Sequence, residues 1–458
     1  MKGTNNRFEA LLQDAAQDTS FGRTRWIDIG SQILPRLVDF LRREFNGKVH
    51  LLLCDSNTAF IARECSNLLE AVNQPSRLVM LEPPHDHEDV VCDEETIASL
   101  VTFLNASEQF HPIAIGAGTI NDIAKMASFR TQRPYVVVPT AASMNGYTST
   151  IAAVLADGVK RTLPCHQPIA IFADIDVVRN APDRLNRAGF GDLLSKPFSN
   201  VDWLLSHLIR DVPYSSEAAE FLDEPFNELL AHAKGVAESS PEAIGLLLET
   251  LLLSGYSMAM AGTSAPASGG EHLISHYWDM EQHCQHQELL GLHGTQVGIA
   301  TWISALLFER LANLNIDDAL DRQEACKDTQ PSVSEMQARH PSLTPEVCGE
   351  VREQFVSKQR LGLELNTELE RIRERWPRIQ EVIRASCPSA SSVEATLRAA
   401  GCVMKPSEIG VSFERLRRTI RVCREIRNRY VALDLMADLG VLEAWANDVA
   451  NMVEGANE

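Results

Sequence analysis

A chain of 458 residues, 45% of them hydrophobic, can bury more than one sizeable core, and length alone suggests two or three domains. Its formal net charge of −20 argues against a nucleic-acid partner, because phosphate-backbone affinity rests on clustered Lys and Arg. An anionic substrate would need a local basic pocket. The ten cysteines are scattered without a Cys-x-x-Cys pair, which predicts reduced thiols in a cytoplasmic protein. The N-terminus has no apolar signal core, and no run approaches the roughly 18 apolar residues of a membrane span, so no membrane insertion is expected.

Short apolar runs at 49–54, 77–81, 112–115 and 135–138 alternate with helix-length segments such as 61–71 and 94–104. That rhythm predicts a parallel α/β sheet. Residues 149–156, the turn Asp157-Gly158 and 159–163 predict a hairpin, and 168–173 a further strand. From about Pro182 the pattern is helical, at 197–209, 221–237, 241–261 and 295–314. Residues 316–400 read as peripheral charged helices with a linker near 389–392, and the basic run 415–429 as a solvated helix face. The expected class is therefore α/β plus all-α, with a Rossmann-like parallel-sheet domain over 1–181 and a helical domain over 182–458.

In the first half, an apolar strand runs into Gly116-Ala117-Gly118-Thr119 and then a helix carrying Asp122. Such a turn brings backbone N–H groups and a positive helix end onto a pyrophosphate. The third glycine of Gly-x-Gly-x-x-Gly is missing, so a plain strand-to-helix turn competes with this reading. The strand at 49–54 ends on Asp55, and an acidic residue there can bind ribose hydroxyls while repelling a 2′-phosphate. That favours NAD(H) over NADP(H).

The second half carries a metal argument. Asp192 is flanked by glycine at what reads as a helix entrance, while His272 and His293 fall on consecutive helices and can converge across the pair. One carboxylate and two imidazoles leave a tetrahedral ion with an open position, as at a catalytic zinc. The competing reading is a satisfied core histidine. His276, one turn beyond His272 on the same face, is placed as a donor around the site. His85-Asp86-His87 and His283-Cys284-Gln285-His286 lie in polar stretches and read as solvated loops.

Five ordered motifs resemble one family: Gly-Ala-Gly-Thr-Ile-Asn-Asp-Ile-Ala-Lys (116–125), Val-Pro-Thr-Ala-Ala-Ser-Met-Asn-Gly-Tyr-Thr-Ser (138–149), Gly-Phe-Gly-Asp-Leu-Leu-Ser-Lys (189–196), Ser-Gly-Gly-Glu-His-Leu-Ile-Ser-His (268–276) and Leu-His-Gly-Thr-Gln-Val-Gly (292–298). They are similar to the glycerol-1-phosphate dehydrogenases of the iron-containing alcohol dehydrogenase and dehydroquinate synthase superfamily. The likeness runs from about residue 25 to 315 and resumes at 424–435. It implies a nucleotide-binding α/β domain, a helical metal-binding domain and an active site in the cleft between them. It carries over Asp192, His272 and His293 as ligands of one divalent metal. It also carries over Gly116, Gly118, Thr119, Asp122, Thr140 and Ser143 as the dinucleotide site, with Ser149 beside them and Asp55 at the adenosine ribose.

Two departures from the pattern matter. Asn145 stands where a substrate-contacting carboxylate is usual; it can hydrogen-bond a hydroxyl but cannot act as a base. Lys196 stands where iron-type relatives place a fourth ligand, which favours zinc or nickel over iron. The implied reaction is reversible, NAD(P)H- and metal-dependent reduction of dihydroxyacetone phosphate to sn-glycerol 1-phosphate. His276, Asn145 and Lys196 are the expected catalytic residues, and Lys160, Arg161 and Lys196 the expected phosphate partners. The alternatives are a lyase or cyclase acting on a phosphorylated sugar, a polyol dehydrogenase, and a non-catalytic nucleotide-binding relative. The expected partners are a small phosphorylated substrate and further copies of the chain, as a homodimer or higher homo-oligomer.

Overall fold

Val49–Cys54 is buried along nearly its whole length, as befits a strand covered by helices on both faces. In the computed structural model, which describes residues 7–8, 11–12, 22–84, 89–156, 159–322 and 329–455, it lies inside a six-stranded parallel sheet. The sheet strands are β1 (Trp26–Gly30), β2 (Val49–Cys54), β3 (Ser76–Met80), β4 (Phe110–Gly116), β5 (Val136–Pro139) and β8 (Ala170–Asp174), in the order β1-β8-β5-β4-β2-β3. After β2 the chain moves to its neighbour β3, and after β4 it moves to β5 on the other side. The crossovers therefore diverge at the carboxyl ends of β2 and β4, where parallel α/β sheets open a ligand crevice. Asp55 follows β2 and Gly116 ends β4. Strands β6 (Ile151–Ala156) and β7 (Val159–Pro164) form the expected antiparallel hairpin; its Asp157-Gly158 turn lies outside the described residues.

Edge strand β1 is an element that the apolar pattern does not reveal. Asp28 interrupts its apolar run, yet this carboxylate is buried and held by Arg36 Nη1 at 3.0 Å. The strand pairs in register with β8, Trp26 opposite Ala170.

The chain groups into two compact units, Met1–Phe190 with Phe221–Ala259, and Gly191–Glu220 with Met260–Glu458. These units do not follow the single cut expected at 181/182. The helix Pro241–Ala261, apolar around its circumference, packs with the sheet unit: Thr148 Oγ1 donates to Leu252 O, and Gly255 admits that approach. By length and composition this helix would also cross a bilayer, contrary to the expectation that no run qualifies, but 89% of its apolar window is buried inside the protein.

Within the second unit the charged regions are not peripheral. Helix Gly362–Ser386 buries Leu369, Ile372, Trp376 and Ile379, and Glu368 takes a two-pronged bond from Arg210 at 2.9 and 2.7 Å. Helix Pro345–Lys358 ends on a buried Lys358 that reaches Asp434 Oδ2 at 2.7 Å. The basic run at 415–429 is no solvated face either, since Arg415 and Arg418 both grip the buried Glu281, at 2.7 and 2.8 Å. Ser389 does not open a linker; it caps helix Ala390–Ala399 by accepting from the Ser392 amide. His283 and Cys284 close the helix Gly270–Cys284 rather than lying in a loop, while His85-Asp86-His87 lies outside the described residues. Among the described residues no disulfide is formed.

Candidate active site

Asp192 sits near the end of helix Asp183–Leu194, not at a helix entrance. The glycines before it serve close approach. A Cβ on Gly191 would lie 2.5 Å from Gly294 O, so the two helices touch backbone to backbone there. That contact brings Asp192 beside His293, the first residue of helix His293–Ala312, and His272 of helix Gly270–Cys284 completes the group. One ligand atom from each of Asp192, His272 and His293 falls within a mutual 4.8 Å, and the His272 and His293 rings are 5.2 Å apart between centroids.

The donor set fits a divalent cation. Asp192 is buried, yet among the described residues neither carboxylate oxygen completes a hydrogen bond, a costly state for an anion unless a cation meets it. His272 Nε2 lies 3.3 Å from Oδ1. His272 Nδ1 bonds Glu271 Oε1 at 2.9 Å, the carboxylate–imidazole arrangement that orients a metal-binding histidine. Burial alone pushes the His272 imidazole down, but the carboxylates of Asp192 and Glu271 override it and raise the group to about 9. Glu271 Oε1 also accepts from the Gly269 amide at 2.7 Å, which fixes the carboxylate to its own turn.

His293 is oriented by a longer chain of bonds. Gln296 Nε2 donates to Asp279 Oδ1 at 3.0 Å, and because a carboxylate only accepts, the amide oxygen must face the other way, toward Ser275. Ser275 Oγ therefore gives its single proton to Gln296 Oε1 at 2.7 Å. Its remaining contact, 3.1 Å to His293 Nδ1, must be one in which Ser275 accepts. His293 thus carries its proton on Nδ1, which makes Nε2 the ring nitrogen with a lone pair. Ser275, Gln296 and Asp279 are all buried. His276 stacks on His293 with centroids 5.3 Å apart, and with Asp279 and His293 it forms a second group of metal-competent atoms.

At the sheet crevice, Gly116 and Gly118 allow close packing. A Cβ on Gly116 would lie 2.5 Å from Ile120, and one on Gly118 2.9 Å from Met144. Helix Gly118–Arg130 begins there, its first-turn amides lacking intrahelical acceptors, with Thr119 exposed in that turn. Thr140 donates its amide to Gly116 O at 3.2 Å, tying the loop after β5 to the turn. Asp55 Oδ1 accepts from the Thr58 amide and hydroxyl at 2.8 and 2.7 Å, which fixes the carboxylate at the end of β2. Asp122 Oδ2 accepts from the Ala153 amide at 3.1 Å and so anchors the hairpin. Ser149 is buried beside Lys125, whose ammonium bonds Gly146 O at 2.6 Å and Ile151 O at 3.0 Å. Ser143 and Asn145 are half-buried in the loop between β5 and the hairpin.

Lys196 is buried, with its ammonium on Ala219 O at 2.6 Å. Arg161 is exposed on β7, and the Lys160 side chain lies outside what is described. Residue patterns single out none of Glu271, Ser275, Asp279, Gln296 or Asp202, whose Oδ2 holds the Gly270 amide at 2.6 Å. The available signal was positional, since the first three lie one or three residues from a histidine of the same helix.

The profile of the iron-containing alcohol dehydrogenase family matches residues 28–182. The chain is 30% identical over 421 residues to the glycerol-1-phosphate dehydrogenase (NAD(P)+) of Geobacillus thermodenitrificans, covering 91% of this chain and 93% of that one. It is 33% identical over 314 residues to the enzyme of the same name from Bacillus subtilis, covering 68% and 78%. Among solved structures, a probable glycerol dehydrogenase from Sinorhizobium meliloti superposes with a TM-score of 0.58 at 17% identity, over 94% of this chain and 100% of that chain, a likeness of fold. With the metal-competent triad and the parallel sheet already in place, these similarities establish that the chain belongs to the glycerol-1-phosphate dehydrogenase family of iron-containing alcohol dehydrogenases.

Proposed function

We propose that this protein catalyses the reversible, NAD(P)H-dependent reduction of dihydroxyacetone phosphate to sn-glycerol 1-phosphate with the help of one divalent cation. The observation that carries this reading is the buried Asp192 carboxylate, both of whose oxygens lack hydrogen-bond partners among the described residues, grouped with His272 and His293. Bound there, a divalent ion supplies Lewis acidity to the ketone oxygen and the reduced coenzyme supplies hydride. Three protein ligands, with Lys196 turned to Ala219 O, suit zinc or nickel better than a four-ligand iron site. The chain's own residues do the rest. Glu271 and Ser275 hold the two imidazoles in their ligating orientation. His276, half-exposed beside His293, is the group placed to deliver a proton to the new hydroxyl oxygen. Asn145 contributes an amide that can hydrogen-bond a substrate hydroxyl without taking its proton. Asp55 favours NAD(H) over NADP(H), because a 2′-phosphate would meet its carboxylate.

The test is to follow NADH absorbance with dihydroxyacetone phosphate in the purified protein, then after chelation, then after re-addition of Zn²⁺ or Ni²⁺. NADH should be consumed, lost with chelation and recovered with metal. Absence of consumption by the metal-loaded protein would overturn the reading. His276→Ala should depress turnover far more than coenzyme binding; equal turnover would remove His276 from proton delivery.

A further inference from the structure

We propose that Lys125 is a positioning residue of the coenzyme crevice: its buried ammonium gathers the carbonyls of the loop that bears Ser143, Asn145 and Ser149 and holds that loop in its coenzyme-binding arrangement. This rests on the dehydrogenase reading above. The loop needs such a device. Between β5, which ends at Pro139, and β6, which begins at Ile151, the chain forms neither helix nor strand, so its backbone polar groups must find partners outside any regular ladder.

Lys125 meets three of them. The residue is fully buried, and its Nζ lies 2.6 Å from Gly146 O, 3.0 Å from Ile151 O and 3.2 Å from Ser149 O. Carbonyl oxygens only accept, so the three take the three N–H bonds of one ammonium. Ser149 Oγ, 3.3 Å from Nζ, lies 2.9 Å from both the Gly146 and the Ile151 carbonyl and gives its one proton to either. Carbonyl dipoles turned toward one point repel one another unless a cation stands there. A compact ammonium on a flexible stem fills that place, and a planar guanidinium would not. Asp122, one turn earlier in helix Gly118–Arg130, places Oδ1 3.8 Å from the ammonium and accepts from the Ala153 amide through Oδ2 at 3.1 Å. Carboxylate and ammonium together grip the stretch 146–153 by one amide and three carbonyls.

This grip decides where the rest of the loop lies. At the loop's start Thr140 donates its amide to Gly116 O at 3.2 Å, and Met144 packs so closely on the turn that a Cβ on Gly118 would lie 2.9 Å from its Cγ. The loop is therefore drawn over the first turn of the same helix, at the end of β4 where the crossovers diverge. Ser143 and Asn145 are held between the two attachments. The ammonium itself is committed to the carbonyls, so Lys125 acts on the coenzyme through the loop.

The test measures NADH affinity by fluorescence titration without substrate, beside Tm and zinc affinity. Lys125→Met keeps the bulk of the stem and removes the charge. It should weaken NADH binding by up to about 100-fold, the loss that a displacement of about 1 Å produces, and leave zinc affinity parental, because the metal-competent group belongs to the other compact unit. In Lys125→Ala, millimolar ethylammonium should restore NADH affinity, whereas tetramethylammonium, with no N–H to donate, should not. A lower Tm with parental NADH affinity in folded Lys125→Met would show a brace without a positioning role and overturns the proposal. So does a Lys125→Ala variant that ethylammonium does not restore, and so does failure of both variants to fold, since the ammonium would then hold the whole sheet unit. A parent that binds NADH without reducing dihydroxyacetone phosphate overturns the dehydrogenase reading and leaves the positioning role standing on affinity; a parent that binds no NADH overturns both.

Discussion

His293 shows how much of the proposed metal site lies outside its three metal-competent residues. Its proton is fixed on Nδ1 by Ser275, whose own proton is committed to Gln296, whose amide is turned by Asp279. Gln296→Met removes the acceptor for the Ser275 proton, which is then free to turn toward His293 Nδ1 and force the other tautomer. Ser275→Ala removes the acceptor itself. Each should weaken zinc binding about 10- to 100-fold in chelator competition, with activity returning at excess zinc. A structural lesion would not be rescued by metal, and unchanged affinity in both variants would mean that the relay does not select the tautomer. The grouping of Asp192, His272 and His293 as metal-competent residues was legible in the sequence because glycine near a histidine or aspartate in a helical pattern is unusual. Their supporting residues were not: Ser, Gln and Glu are ordinary helix residues, and only the rotamers reveal which way a proton points.

At the scale of elements, Gly191 is where helix packing and chemistry meet. Glycine inside a helix ordinarily costs about 1 kcal/mol relative to alanine, so Gly191→Ala would stabilise a free helix. Here the added Cβ would meet Gly294 O at 2.5 Å and Gly298 Cα at 3.3 Å, backbone atoms that cannot swing aside. Overpacking of this kind costs about 1–3 kcal/mol, so the sign reverses. The expected outcome is a lower Tm together with weaker zinc binding, since the helix carrying Asp192 must move away from the one carrying His293. A Tm at or above the parent's would show that the helices separate without cost. The glycines were legible as a motif, but their part in it was misread. Gly-Phe-Gly-Asp looks like a turn because glycine breaks isolated helices, whereas here the backbone contact outweighs propensity. Edge strand β1 escaped for a related reason, its buried Asp28 being tolerable only with Arg36 above it.

The whole molecule sets two electrostatic tendencies against each other. A chain of net charge −20 repels itself, and mild acid should relieve that repulsion and favour the folded state. The sheet unit contains an opposing device, the buried pair His50 and His111 on β2 and β4. Their Nδ1 atoms are 3.4 Å apart, and among the described residues neither Nε2 has a hydrogen-bond partner. One Nδ1 must donate and the other accept, which requires the accepting ring to be neutral. Burial lowers His50 from 6.5 to about 4 and holds His111 well below its ordinary value. Folded histidines with depressed pKa values take up protons later than unfolded ones, so falling pH favours the unfolded chain. Stability from this pair is therefore complete above about pH 6.5 and declines toward about pH 4, by about 3 kcal/mol for His50 alone. Surface repulsion is screened within about 8 Å at physiological salt and this buried pair is not, so the histidines should win. Urea unfolding of the sheet unit at moderate salt should show a midpoint falling as pH drops from neutral toward 5, with a shallower fall in His50→Gln. A midpoint that rises over that interval would mean that relief of the acidic surface dominates, and that the pair is hydrated rather than dry.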